Sequence, residues 1–121
     1  ISREGEFVVP PRFDYADSFA EGFAVAQKGE QCGYINSKGD WVIKPTFVSC
    51  QSFSEGLAGV RIRRQTGNRI NYYWGYIDQV GQVIVEPVFR TASPFADGLA
   101  MVFKDKGGVY INRFGNEISV R

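Results

Sequence analysis

Histidine is absent from this 121-residue sequence, and cysteine and methionine are scarce, with two and one respectively. Without histidine the chain lacks the usual base that activates a serine or cysteine nucleophile, and it lacks a common zinc ligand. No glycine-rich loop followed by Lys-Ser or Lys-Thr is present to cradle a phosphate. A residue census leaves a carboxylate pair for sugar hydrolysis open, but no acid stands in a suggestive place. We therefore expect no enzymatic activity, no bound metal and no cofactor.

The chain also lacks an excess of charge and any long apolar run. It contains 14 Lys and Arg residues against 13 Asp and Glu residues, a formal net charge of +1. This balance predicts no general attraction to nucleic acid or to a membrane surface. No apolar run approaches the roughly 20 residues that a membrane helix needs, and the first residues do not resemble a signal peptide.

One motif of prolines, phenylalanines and glycines occurs three times. Each copy begins with Pro-x-Phe and continues to Phe-x-Glu-Gly or Phe-x-Asp-Gly; the second copy starts 34 residues after the first, and the third starts 42 residues after the second. Periods of about 20 to 50 residues indicate tandem repeats, in which each unit buries its apolar side against its neighbours. Because residues 1–5 lie inside such a repeat and no initiating methionine is present, we expect a fragment of a larger protein.

Each repeat predicts three short strands, because its apolar runs are rich in β-branched and aromatic residues and end at Gly, Asn, Asp or Pro. The predicted strands are 23–27, 32–36 and 40–44 in the first repeat, 57–63, 72–78 and 82–86 in the second, and 99–104, 108–112 and 116–120 in the third, with a lone strand at 6–9 before them. We expect an all-β tandem repeat of about three 34–42-residue units, in an open stack or a propeller-like ring. Each unit is a short three-stranded antiparallel meander plus a phenylalanine-containing connector. Residues 1–121 form one domain, with units at approximately 13–46, 47–88 and 89–121.

A ten-residue connector follows the proline at the end of each third strand. Proline cannot donate a hydrogen bond to a neighbouring strand, so we expect strand pairing to stop there. The connector has room for one helical turn, which a glycine with positive φ would end. Its phenylalanines are expected to fill the space between consecutive units as core residues. These positions are Pro11, Pro45 and Pro87; Gly22, Gly56 and Gly98; and Phe13, Phe19, Phe47, Phe53, Phe89 and Phe95.

Both cysteines align with apolar residues of other repeats. Cys50 falls on the column of Ala16 and Ala92, and Cys32 falls on that of Trp74. Because a buried cysteine behaves as a small hydrophobic residue, we expect two free structural thiols.

One acid recurs in every copy, directly before the glycine, as Glu21, Glu55 and Asp97. A row of cation ligands is one interpretation. A carboxylate beside glycine also stabilises a turn by accepting backbone N–H bonds, and three equal positions favour this structural role.

The strings SFSEGLAGV and WGYIDQVGQVIVEPVF resemble the WG repeat family, a β-rich repeat found mostly in bacterial proteins. The resemblance covers residues 5–120. It implies a repeat scaffold, often one part of a larger protein, and it carries no catalytic residues. The naming dipeptide is intact only at Trp74-Gly75 and is replaced by Cys32-Gly33 and Gly108-Val109 in the other copies, so we expect no direct role for it.

The second repeat contains an eight-residue extension between Val60 and Trp74. An even insertion of four residues per strand lengthens a hairpin without turning side chains to the wrong face, and it projects by about 13 Å. The segment from Gly56 to Ile77 contains four arginines and no acid, and Thr66-Gly67-Asn68 is the natural tip.

This basic hairpin, residues 61–73, is the predicted contact surface of a non-catalytic scaffold for protein recognition. Its partner is a separate protein or another domain of the same polypeptide, and no membrane is involved. Binding of nucleic acid or another anionic ligand is the alternative, because arginine pairs with phosphate and tyrosine stacks on bases. A purely structural spacer with a tolerated loop also stays open. The predicted binding residues are Arg61, Arg63, Arg64, Arg69, Tyr72, Tyr73 and Trp74.

Overall fold

The computed structural model of the protein describes residues 14–104 and 107–118. Within these ranges every regular element is a β-strand. The strands are β1 Tyr15–Ala16, β2 Ala24–Lys28, β3 Gln31–Ile35, β4 Trp41–Phe47, β5 Ser49–Cys50, β6 Ala58–Thr66, β7 Arg69–Ile77, β8 Val83–Phe89, β9 Thr91–Ala92, β10 Leu99–Lys104, β11 Gly107–Asn112 and β12 Glu117–Ile118. No helix in the described residues is long and apolar enough to cross a membrane.

The strands form three antiparallel sheets of four strands each. The order within each sheet follows the chain, β1 to β4, β5 to β8 and β9 to β12, so each sheet is a meander. The three sheets stack as an open array. The all-β tandem repeat is therefore confirmed, and the open stack is the arrangement adopted. The predicted lone strand at 6–9 lies outside the described residues, as does the end of the strand predicted at 116–120.

The connectors contain a short strand where the sequence predicted a helical turn. The two-residue strands β1, β5 and β9 each pair with the first long strand of their own sheet, as Ala16 does with Ala26. Between the short strand and the long strand of each sheet, the chain reverses at a two-residue turn. In the first repeat this turn is Glu21-Gly22, whose φ angles are 54° and 87°. Two consecutive positive φ values match a type I′ hairpin turn, which suits the twist of paired strands. The prediction of a helical turn was therefore wrong, whereas the predicted positive φ of the glycines is confirmed.

The prediction that pairing ends at the proline was also wrong. Strand β4 runs through Pro45, and β8 runs through Pro87 in the same way. Ile43 of β4 pairs with Tyr34 of β3, and Phe47 of β4 pairs with Cys32 of β3. Between these two pairs β4 contains more residues than β3. The extra residues form a bulge, and a proline inside a bulge removes no required ladder hydrogen bond.

The bulge explains the glycine of the Trp-Gly dipeptide. A Cβ added at Gly75 would lie 2.6 Å from the carbonyl oxygen of Val85 and 2.7 Å from the nitrogen of Pro87. Gly33 faces the equivalent backbone of β4. In the third repeat this position is Val109, and the described residues of β12 pair with Tyr110 and Ile111. In the first and second repeats, the bulged strand therefore crosses so close to this position that glycine is needed there.

Apolar side chains of adjacent sheets form the core. The first interface buries Val25, Cys32, Tyr34 and Ile43 of the first sheet with Phe53, Ala58, Val60 and Ile77 of the second repeat. The second interface buries Leu57, Tyr76, Val85 and Phe89 with Phe95, Ala100, Val102 and Ile111. Each interface also contains a buried phenol that donates to a backbone carbonyl of the following repeat at 2.6 Å, Tyr34 to Gln51 and Tyr76 to Ser93. Burial raises the pKa of both phenols.

Not every connector phenylalanine belongs to the core. Phe53, Phe89 and Phe95 are buried and Phe47 is half-buried, but Phe19 is 51% exposed. The ring of Phe53 packs against Tyr34 of the preceding sheet at 4.8 Å between centroids. Phe19 lies between β1 and β2 of the first sheet, and the described residues include no earlier sheet against which it could pack. The core assignment was therefore wrong for Phe19, and Phe13 lies outside the described residues.

The two cysteines form a disulfide bond between the first and second sheets. Cys32 and Cys50 have Cα atoms 6.2 Å apart, and no described cysteine is free. The prediction of two free thiols was wrong, because the two alignment columns face each other across the interface. Trp74 and Ala92, the equivalent pair at the second interface, both pack against its core cluster.

Two of the three recurring acids, Glu21 and Glu55, accept backbone hydrogen bonds, but from the following repeat and not from their own turn as the sequence predicted. The Glu21 carboxylate accepts the N–H groups of Glu55 at 2.7 Å and Gly56 at 2.9 Å. Glu55 accepts the N–H of Gly98 at 2.8 Å. Glu21 and Glu55 therefore each join two repeats in addition to occupying their own turns.

Candidate functional site

The extension in the second repeat forms the long hairpin β6–β7. Its strands have nine residues each, against five in each of β2 and β3. Pairing continues to Thr66 opposite Arg69, and Gly67 has a φ of 61°. Gly67 thus occupies the position that a type II′ turn reserves for glycine. As predicted, the hairpin is four residues longer per strand, which places its tip about 13 Å beyond those of its neighbours.

The hairpin has two different faces, because residues that pair across antiparallel strands point to the same side. Arg61 pairs with Trp74, and Arg63 pairs with Tyr72. We call this side the groove face. The intervening pairs define the other side, the arginine face, which carries Arg64, Arg69 and Tyr73. The structure therefore divides the seven predicted binding residues, four to the groove face and three to the arginine face.

Two residues of the groove face, Arg63 and Tyr72, border a groove between the hairpin and the first sheet, together with Ile62 from the other side of the hairpin. The groove has a volume of about 750 Å³. Its lining residues are Glu30, Gln31, Thr46, Val48, Ile62, Arg63 and Tyr72. Glu30 and Arg63 are both exposed, so the walls carry charges of opposite sign. Sequence reasoning missed Glu30, Gln31 and Thr46 because none of them is a recurring residue of the motif, and they approach the hairpin only when the sheets stack.

An arginine–tyrosine contact stiffens the groove face. The guanidinium carbon of Arg61 lies 4.7 Å from the centroid of the Tyr72 ring. This distance is within cation–π range, so the contact holds the Tyr72 ring in place at the mouth of the groove. The Nε atom of Arg61 is buried and has no hydrogen-bond partner in the described part of the chain.

The arginine face centres on Tyr73. The guanidinium of Arg64 lies 5.2 Å from the centroid of this ring, and that of Arg90 lies 5.5 Å from it. Arg90 directly follows β8 and was missed in the sequence, since it lies outside the extension. Arg64 and Arg69 are exposed. This side of the hairpin therefore presents a cluster of positive charge around one aromatic ring.

Trp74 has a mainly structural position. It is half-buried and packs against the second core cluster. Its placement at the base of the hairpin anchors β7 to the stack. Four of the seven predicted binding residues, Arg63, Arg64, Arg69 and Tyr72, lie on the part of the hairpin that projects beyond its neighbours.

A family model described as WG containing repeat matches residues 1–32, 33–63 and 74–107. The chain belongs to this family. Residues 64–73, between the second and third matches, form the outer part of the hairpin. The hairpin is thus a departure from the WG repeat pattern. No curated protein and no solved structure matches the chain significantly.

Proposed function

We propose that this chain is a non-catalytic recognition module that binds a polypeptide through the groove face of hairpin β6–β7. The polypeptide is a separate protein or another domain of the same chain. The observation that carries the proposal is the groove itself, which combines an exposed aromatic ring with charges of both signs, Glu30 and Arg63.

The composition of the groove favours a polypeptide over a polyanion. Arginine and tyrosine are enriched in the residues that dominate protein–protein binding energy. The carboxylate of Glu30 repels phosphate groups but pairs with a lysine or arginine of a partner. The ring of Tyr72, supported by Arg61, offers a rigid contact area at low entropic cost.

Shortening the hairpin is the first test. Replacing residues 63–72 by Gly-Glu, the turn of the first repeat, would pair Ile62 with Tyr73 as Lys28 pairs with Gln31. We expect the shortened protein to keep its far-ultraviolet circular dichroism spectrum and its melting temperature. Affinity for a partner first captured by the native chain, and then purified, should be lost. Unchanged affinity would mean that the hairpin is a tolerated loop.

A charge-matched pair of variants then separates the two faces. Arg61→Ser with Arg63→Ser alters the groove face, and Arg64→Ser with Arg69→Ser alters the arginine face; each removes two positive charges. We expect only the groove-face variant to weaken binding of the purified partner. Equal losses would point to a general charge effect.

The arginine face supports a second candidate, recognition of nucleic acid or another anionic ligand. Arg64 and Arg90 flank Tyr73, which combines phosphate-binding groups with a stacking ring. A single-stranded oligonucleotide is the probe, and its affinity should fall steeply as salt rises. Here the Arg64→Ser, Arg69→Ser variant should lose binding. Absence of oligonucleotide binding at low salt would contradict this candidate.

A further inference from the structure

Strand β6 of the long hairpin continues beyond the strand that flanks it. Strand β5 pairs with β6 at Val60 and Arg61, and the Val48 N–H donates to the Arg61 carbonyl at 2.8 Å. Strand β6 then runs on to Thr66. Among the described residues, no strand pairs with β6 after Arg61 on the side where β5 leaves it. The outer part of β6, residues 62–66, therefore has a free edge on this side.

The free edge presents backbone groups at every second residue. In an antiparallel ladder, one residue directs its N–H and C=O to one neighbouring strand, and the next residue directs them to the other. Arg61 directs its carbonyl to the β5 side, so Arg63 and Gln65 direct their N–H and C=O groups to that side as well. These backbone groups have no partner among the described residues. Two donors and two acceptors thus stand in a row along the edge.

The free edge opens into the groove of the candidate site. Val48 contacts β6 at Arg61, whereas Thr46, two residues earlier, belongs to β4 of the first sheet. Thr46 and Val48 line the groove together with Arg63. An extended segment in the groove would therefore take the place that a longer β5 would occupy, antiparallel to β6.

The surface around the edge is positively charged. The hairpin contains four arginines and no acid, and the groove contains one acid, Glu30, on its opposite wall. Cross-strand neighbours of opposite charge stabilise a pair of strands, and like charges opposite each other destabilise it. The edge therefore favours an acidic strand. It disfavours the same edge of a second copy, which carries the same arginines.

A further repeat would not fill this edge. At both internal interfaces, repeats join through packed side chains of their sheet faces, and the three sheets share no paired strands. The hairpin belongs to the middle of the three sheets, which packs against the first and the third. A repeat added at either end of the stack would therefore contact a different surface.

The sequence also provides no acidic segment for the edge. Every described strand already belongs to one of the three sheets. Of the residues outside the described ranges, 1–13 contain two acids and two arginines, 105–106 contain one acid and one lysine, and 119–121 contain one arginine and no acid. A complementary acidic strand therefore has to come from outside this sequence.

We propose that this groove binds an extended acidic segment of a partner protein as an added β-strand. The segment runs antiparallel to β6, its backbone exchanges hydrogen bonds with Arg63 and Gln65, and one of its acidic side chains lies opposite Arg63. Strand addition of this kind takes affinity from main-chain hydrogen bonds and selectivity from side chains. The inference rests on the proposed function, to which it adds the binding mode and the chemistry of the partner.

Amide hydrogen exchange, measured by nuclear magnetic resonance on the full chain, is the first test. The probe is a short synthetic peptide in which glutamate alternates with valine, a strand-forming residue. We expect the Arg63 and Gln65 amides to exchange rapidly in the chain alone and at least about tenfold more slowly with saturating peptide. The Arg64 amide, which points to Asn71 across the hairpin, is the internal control and should change little. Protection of Arg63 and Gln65 in the chain alone would mean that a segment of the chain itself fills the edge, and it would overturn the proposal.

N-methylated peptides separate strand pairing from charge attraction. Only every second residue of an added strand directs its N–H to β6, and a glutamate opposite Arg63 is one of them. Methylation of the glutamate amides should therefore weaken binding at least about tenfold, whereas methylation of the valine amides should leave it nearly unchanged. A peptide with lysine in place of glutamate should not bind. Equal affinity of the two methylated peptides, or no binding of the unmethylated peptide at millimolar concentration, would overturn the proposal.

Gln65→Pro tests the same edge from the protein side. Proline removes the N–H that points outwards but no hydrogen bond to β7, and edge strands tolerate it. Gln65→Ala, which keeps the N–H, is the matched control. Because Gln65 is exposed, both variants should keep the native melting temperature, and only the proline variant should bind the peptide about threefold to tenfold more weakly. A proline variant that binds as tightly as the alanine variant would contradict strand addition.

Failure of this inference is distinguishable from failure of the proposed function. If the shortened hairpin loses its purified partner but the peptide tests fail, the groove binds through side chains alone and only strand addition is wrong. If the shortened hairpin keeps its affinity for the partner, the proposed function itself is wrong.

Discussion

Three carboxylate residues of this chain adopt a backbone conformation that usually belongs to glycine or asparagine. Glu21, Glu55 and Asp97 have φ angles of 54°, 55° and 55°. A left-handed conformation costs an ordinary residue about 1–2 kcal/mol. Glu21 and Glu55 offset this cost with hydrogen bonds to the next repeat, whereas Asp97 has no such bond among the described residues. The recurrence of an acid at this turn is thus explained by its role between repeats.

Glycine substitutions separate turn strain from bonding between repeats. Asp97→Gly relieves the strained φ without losing a bond, so it should leave the free energy of unfolding unchanged or raise it by up to about 1 kcal/mol. Glu21→Ala keeps the strain and loses two bonds, and it should cost about 1–2 kcal/mol, with Glu21→Gly costing less. Urea unfolding of dilute protein measures these differences. Equal effects of Glu21→Gly and Asp97→Gly would show that the bonds contribute nothing.

The two buried phenols predict a loss of stability at alkaline pH. Burial holds the pKa of Tyr34 and Tyr76 above the ordinary value of 10.0 in the folded chain. A group whose pKa is raised by folding stabilises the fold fully below its unfolded pKa, and this stability is lost as pH rises towards the folded pKa. Two of the six tyrosines should therefore resist ionisation until the chain unfolds.

Tyrosinate absorbance during alkaline titration measures this resistance. Tyr76→Phe should reduce by one the number of tyrosines that ionise only with unfolding. Exposed Tyr72→Phe is the matched control and should leave unchanged the number of tyrosines that ionise only with unfolding. Identical titration of all six tyrosines in native protein would contradict the buried hydrogen-bonded phenols.

At the scale of elements, the sequence patterns predicted the long strands and the extended hairpin. They did not predict the contacts that depend on how strands and sheets pair in the folded chain. Val60 and Ile77 lie in runs whose composition and bounding turns are strand-like, so their strands were predictable. The two-residue strand Ser49–Cys50 has no periodicity of its own and exists because β6 runs beside it. The Asp97-Gly98 turn did carry a signal, since Asp-Gly is typical of type I′ hairpins.

The disulfide shows the same limit. Column alignment placed Cys32 with Trp74 and Cys50 with Ala92, but alignment alone does not show that the two columns meet across an interface. The bond closes a loop with a sequence separation of 18 residues between two different sheets. Only the stacking of the sheets makes this pairing visible.

Reduction of the disulfide should therefore destabilise the protein. Chain-entropy arguments give about 3 kcal/mol for a loop of this length. We expect a lower melting temperature in the presence of a reductant, and no reactive thiol in native protein without it. A Cys32→Ala, Cys50→Ala variant, the control, should already have the lower melting temperature and should not respond to reductant. Titration of two thiols in the oxidised native protein would contradict the bond.

At the scale of the whole molecule, the fold is a linear stack in which each sheet is stabilised by its neighbours. The repeat period predicted this organisation, because an equivalent residue recurs in each copy. It did not predict that equivalent residues differ in exposure from one repeat to another. Phe19 and Phe53 occupy equivalent positions, yet one is 51% exposed and the other 3%. In a stack, the environment of a residue depends on which repeat contains it as well as on its position in the motif.

One substitution at two equivalent positions tests the linear stack. Phe53→Ala removes a ring packed against Phe23 and Tyr34, at 5.1 Å and 4.8 Å between centroids, and it should cost about 3–5 kcal/mol. For a domain with about 5–15 kcal/mol of total stability, the melting temperature should fall sharply. Phe19→Ala alters an exposed ring and should cost less than about 0.5 kcal/mol in dilute solution. Thermal unfolding of the two variants at equal low concentration gives the comparison. Similar losses at both positions would show that Phe19 is packed as deeply as Phe53, whereas the expected contrast shows that the stabilisation from this ring depends on a preceding sheet that packs against it.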